Sequence, residues 1–111
     1  MTALYKAEKY SWCLFVGHLV IEKLIKGIYA KNNQDNPKAP KSHDLLFLAK
    51  KCELELNDDK RAKLDLITSF NMSARYEDHK RAFYNKCTKE YTEGQIKNIE
   101  EMRAWLKGQL I

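Results

Sequence analysis

Turn formers are scarce in this chain of 111 residues: four Gly, scattered singly, and two Pro, Pro37 and Pro40. That scarcity, beside abundant Lys, Glu, Leu and Ala, argues against many short strands and for long helices. Isolated glycines also rule out a Gly-rich phosphate loop. Cysteine is limited to Cys13, Cys52 and Cys87, which are far apart, odd in number and without C-x-x-C spacing. This speaks against a disulfide framework or structural zinc and fits a reducing cytosol. Cys13 and Cys52 fall on apolar faces, where a thiol acts as a small core residue. His and Cys show no metal-ligand spacing, and no Ser or Cys nucleophile pairs with a base, so neither a metal nor another cofactor is expected. No basic stretch is followed by an apolar run and a cleavage site. The longest apolar stretch is interrupted by His18, Glu22, Lys23 and Lys26, which excludes a membrane span there and points to a cytoplasmic protein.

What is present is ordinary for a soluble globular protein: 44% hydrophobic and 32% charged residues. The length fits one domain over residues 1–111. A domain of this size buries only about 60–70% of its unfolded surface, so its core is thin and self-association is a natural way to bury more. The net charge of +5 leans toward phosphate-bearing partners. Against a dedicated nucleic-acid surface stands the mixing of 15 acidic among 20 basic residues, with no run of five or six like charges.

Apolar periodicity predicts four main helices in a bundle. In the first, about 11–31, Trp12, Phe15, Val16, Leu19, Val20, Leu24 and Ile28 recur at steps of three and four, with a second row at Leu14, Ile21 and Ile25. A short lead-in over 4–9 precedes it. So much apolar circumference predicts a central helix. Residues 32–41 read as a loop. Ser42 is the candidate cap of a short helix carrying Leu45, Leu48, Ala49 and Cys52. Asn57 or Asp58 caps a third, carrying Ala62, Leu66, Ile67 and Phe70 and running to about Ala74. Residues 75–89 are polar without a clean period and read as irregular chain with room for one helical turn. Thr92 and Gln95 form a capping-box pattern before Ile96, Ile99, Met102, Leu106 and Leu110, with Trp105 beside that stripe.

Two polar groups carry candidate chemistry. His18, Glu22 and Lys26, spaced i, i+4, i+8, share one face of the first helix. They form either a polar row inside a cleft, able to hold a phosphate or place a proton, or a solvated seam on an otherwise buried helix; the pattern favours the seam. Arg75-Tyr76-Glu77-Asp78-His79 combines a guanidinium suited to phosphate with a residue that titrates near neutrality. If helical, Arg75 and His79 share a face; the plain alternative is a surface loop with an Arg75–Asp78 pair. His43 reads as a helix-start residue with local hydrogen bonds. Phe83, Tyr84 and Tyr91 are either satellite core or platforms on which bases stack.

An ordered set of short motifs now stands out: Tyr10-Ser11-Trp12, Leu19 through Lys26 with its Glu-Lys-x-x-Lys, Ser42-His43-Asp44-Leu45-Leu46, Phe70-Asn71, Ala74-Arg75-Tyr76-Glu77-Asp78 and Trp105-Leu106-Lys107. From about Tyr10 onward the chain resembles the HEPN domain family. The resemblance implies an all-α, up-and-down four-helix bundle, here with a shortened N-terminal helix, commonly a homodimer. It also implies a prokaryotic protein, often paired with a minimal nucleotidyltransferase, including in toxin–antitoxin modules whose HEPN member is a metal-independent ribonuclease. Active relatives carry an Arg followed after four to six residues by a His; here three residues separate Arg75 and His79. The expectation is therefore a binding module whose cleft of Glu22, Lys26, Arg75, Tyr76 and Asp78 takes a nucleotide or RNA, with or without a nucleotidyltransferase partner. Two alternatives stand: an endoribonuclease using Arg75 and His79 across a dimer interface, and a purely structural helical protein. The short front end further implies that a partner covers part of the 12–28 helix.

Overall fold

The computed structural model describes residues 2–75 and 77–110, and the side chains of all of these except 74, 75, 77 and 78. Six helices are found among the described residues: α1 Thr2–Lys6, α2 Tyr10–Asn32, α3 Leu45–Lys51, α4 Asp58–Arg75, α5 Glu77–Lys86 and α6 Lys89–Leu110. No strand occurs among these residues, and the all-helical expectation holds. Two elements exceed the four expected. One is the lead-in, which is a separate helix. The other is α5, which occupies most of the stretch read as irregular chain. Its sequence is polar, but Phe83 is buried and stacks on Phe70 of α4 with ring centroids 5.7 Å apart, so one aromatic anchor holds a short helix that its periodicity does not announce.

Helix α2 is central, as its apolar circumference requires: it packs against all five other helices. The row that does most of the packing is not the leading one in sequence. Leu14, Ile21 and Ile25 of the second row are buried, joined from the leading row by Ile28, whereas Trp12, Phe15, Val16 and Leu19 lie on the outer side, half-buried or exposed. On α4 the buried register is Leu64, Ile67 and Phe70, while Ala62 and Leu66 sit further out. Ile99, Met102 and Leu106 close the core from α6 as the periodicity predicts. Each such Leu or Ile contributes about 1.5–3 kcal/mol by leaving water.

Helix ends are decided by single residues. Helices α1 and α3 both stop in the same way, with a glutamate in the left-handed position that glycine usually takes: Glu8 at φ 59° and Glu53 at φ 57°. Around Glu8, Lys9 N–H donates to Leu4 C=O at 2.8 Å and Glu8 N–H to Tyr5 C=O at 3.0 Å. Around Glu53 the matching bonds are Leu54 to Ala49 at 3.4 Å and Glu53 to Lys50 at 3.0 Å. The Asn57 cap is present, accepting from Lys60 N–H at 2.8 Å. Two other caps move. Helix α3 is capped by Asp44, which accepts from Phe47 N–H at 3.2 Å, while the expected cap Ser42 accepts from Asp44 N–H at 3.1 Å. Helix α6 starts a turn before the Thr92–Gln95 box: Thr88 Oγ1 accepts from Tyr91 N–H at 3.2 Å, and Thr92 is wholly buried.

Candidate functional site

Two of the three residues in the polar row of α2 are buried, and all three have partners. His18 is fully buried and Glu22 nearly so, which overturns the favoured reading of a solvated seam. The partners come from the chain that leads into α3. Leu45 N–H donates to Thr68 Oγ1 of α4 at 3.0 Å, fixing the start of α3 against α4. That anchor brings residue 43 back over α2, 25 positions from His18.

His18 Nε2 lies 2.9 Å from the His43 carbonyl oxygen, and a carbonyl can only accept, so Nε2 carries the proton. Nδ1 is then a bare acceptor, and the Asn71 amide of α4 faces it at 3.5 Å. Burial lowers the His18 pKa from 6.5, with the His43 carbonyl and the Glu22 charge opposing that only in part, so the ring is neutral at pH 7. This side chain is a strut joining α2, α4 and the 33–44 loop.

Glu22 is the charged centre. Its Oε1 accepts from His43 Nδ1 at 2.6 Å and its Oε2 from Lys26 Nζ at 3.2 Å. Burial pushes its pKa up, but hydrogen bonds from His43 and Lys26, with their charge, more than reverse this and hold it below 4.5. A buried carboxylate is tolerable only with such partners. The outcome is a fixed anion that grips two basic side chains, both reaching the surface: the side chain of His43 is 53% exposed and that of Lys26 32%. With Nδ1 committed to Glu22, His43 turns Nε2 away from the carboxylate. Lys26 has further N–H donors beyond the one it spends on Glu22.

The structure therefore brings Glu22 and Lys26 together and adds His18, His43 and Asn71. His43 is not confined to local bonds, as its sequence position implied. One signal could have found it: an i, i+4, i+8 polar row on a largely apolar helix needs a buried partner. The remaining expected residues stand elsewhere or beyond reach. Tyr76 and the side chains of Arg75 and Asp78 lie outside the described residues. Arg75 closes α4, and His79 is exposed on α5. Of the three aromatics considered as stacking platforms, Phe83 is core and Tyr91 half-buried, leaving Tyr84 open at 69% exposure.

No helix among the described residues is long and apolar enough to cross a membrane. A family model described as the HEPN domain matches residues 1–109. No curated protein and no solved structure matches the chain.

Proposed function

The chain belongs to the HEPN domain family, and from that premise we propose that it is a binding module that holds the phosphate of a nucleotide or RNA. In this reading it acts alone, as a homodimer, or paired with a minimal nucleotidyltransferase in a toxin–antitoxin-like module. The observation that carries it is the Glu22 clamp: one buried carboxylate pre-positions His43 and Lys26, two basic groups that reach solvent. An ammonium pre-positioned in this way binds a phosphate at low entropic cost, and His43 Nε2 adds a second donor whenever the ring carries both protons. The net charge of +5 favours approach of the same ligands. Arg75, Tyr76 and Asp78 remain part of the proposed site on the strength of the resemblance.

Binding of a fluorescein-labelled RNA, followed by anisotropy across a salt series, tests this. Lys26→Ala and His43→Gln should each weaken binding about tenfold, the scale of a charge-assisted hydrogen bond. Lys26→Ala should also lower the salt slope by about one charge. Wild-type protein that ignores RNA and mononucleotides alike would end the proposal. Incubation of the same RNA in chelator separates binding from catalysis. Cleavage by wild type that is lost in His79→Ala would replace this reading with the endoribonuclease.

A further inference from the structure

A second feature lies apart from the Glu22 clamp. Between the turn that separates α1 from α2 and the exposed side of α5 is a groove of about 360 Å³. Its walls include Trp12 of α2 and Tyr84 of α5, which are 45% and 69% exposed and rank among the most open large apolar side chains described. Lys9 and Lys80 line it from opposite sides, with Ser11 and Glu8 beside them. The Lys80 ammonium hovers 6.0 Å from the centre of the Trp12 ring.

We propose that this groove is a nucleobase-stacking subsite, in which the base of one nucleotide unit lies against Trp12 and Tyr84 and its phosphate is met by Lys80 and Lys9. The inference rests on the nucleotide-binding reading above and adds a separate contact for a base: Trp12 and Lys26 are 14 residues apart on α2, about 21 Å along its axis, so the two places take different units of one strand. Three properties carry it. The volume sits at the lower end of small-ligand sites, which suits one nucleotide rather than a large ligand. Aromatic faces interleaved with lysines are the arrangement by which proteins hold single-stranded nucleic acid, since every base offers a π-face and every unit a phosphate. Finally, 6.0 Å is the outer limit of a cation–π contact, so Lys80 holds its place over Trp12 weakly. An arriving base takes over the ring face, and the displaced ammonium moves to the phosphate. Glu8 and Ser11, which also line the groove, supply acceptors for an exocyclic amine such as that of adenine. An apolar protein segment fits less well, because charged side chains edge the groove.

The test uses the full chain carrying Trp105→Phe, so that Trp12 alone reports by fluorescence. Titration with adenosine monophosphate, and separately with a ten-nucleotide oligoadenylate RNA, should quench that signal saturably. Quenching by both marks a mononucleotide site, and quenching by the RNA alone marks a strand site; either supports the stacking chemistry. In calorimetry or anisotropy, Trp12→Leu and Tyr84→Ala should each weaken binding about tenfold, within what loss of one stacking partner removes. Tyr84 is open enough that its variant will fold. Unchanged affinity in both variants would overturn the subsite; if Lys26→Ala still weakens binding, the phosphate reading survives it. No binding to the wild-type protein would end both. A Trp12→Leu variant that dissociates a dimer in light scattering while nucleotide affinity holds would assign the groove to a protein partner instead.

Discussion

Glu22 Oε1 and His43 Nδ1 meet at 2.6 Å across 21 positions of chain, and this contact ties the loop before α3 to the middle of α2. Everything proposed for the site depends on the carboxylate at its centre, and so does part of the stability.

Replacing Glu22 with Ala should destabilise the fold by about 1–3 kcal/mol, because His43 Nδ1 and Lys26 Nζ lose a charged partner at a mostly buried position. Thermal and urea unfolding of the variant measure it. A ΔΔG near zero would mean that solvent replaces the carboxylate freely and that the clamp preorganises nothing.

Acid should lower the stability of the fold over two successive pH windows. His18 has a folded pKa depressed below 6.5, so the unfolded state binds its proton first, and stability falls as pH drops from 6.5 toward the folded value. Glu22 is also depressed, below 4.5, so its contribution is complete above 4.5 and is lost as pH falls through the folded value. Both shifts have the same sign, and their windows follow one another. Urea midpoints at half-unit pH steps should show the first decline in wild type. In His18→Gln that limb, between 6.5 and the onset of the carboxylate limb, should flatten.

The Thr92 hydroxyl is buried without a hydrogen-bond partner among the described residues. Thr92→Val keeps the shape and branching and removes that desolvated oxygen, so it should stabilise by about 1 kcal/mol. For a domain of this size that is a rise in Tm of about 4 °C. A fall in Tm would mean that Oγ1 has a partner, such as a buried water.

All three thiols should resist modification in the native state. Burial pushes the Cys52 and Cys87 thiols up to about 11 and raises that of Cys13 as well, so at pH 8 little thiolate is present or reachable. Ellman's reagent should react slowly with native protein and rapidly with three thiols in denaturant. Fast release of one equivalent from native protein would expose a local opening.

Legibility in the sequence differed by element for physical reasons. The face of α6 was readable because one row, Ile99, Met102 and Leu106, is apolar and its surroundings are polar. On α2 two apolar rows compete with the same period, and periodicity alone cannot say which faces inward; the packing of α4 and α6 selects Leu14, Ile21 and Ile25. Helix α5 was invisible because a single buried aromatic gives no period. Caps were readable to within a turn, since Ser42 and Asp44, or Thr88 and Thr92, offer equivalent side chains and tertiary contacts choose between them.

The candidate site divides along the same line. Helical geometry alone places His18, Glu22 and Lys26 on one face, and composition alone makes the chain helical, basic and sparing of turns. The role of His43 could not be read locally, because its partner is 21 residues away and is reached only when Leu45 docks on Thr68. Nor does the sequence place Lys80 over Trp12; that meeting needs α5 to fold back across α2. Local sequence determines which side chains share a helix face, since that is a matter of period. Only the tertiary structure decides which faces are dry and which residues, distant in the chain, complete them, because burial and long-range hydrogen bonds are properties of the packed whole.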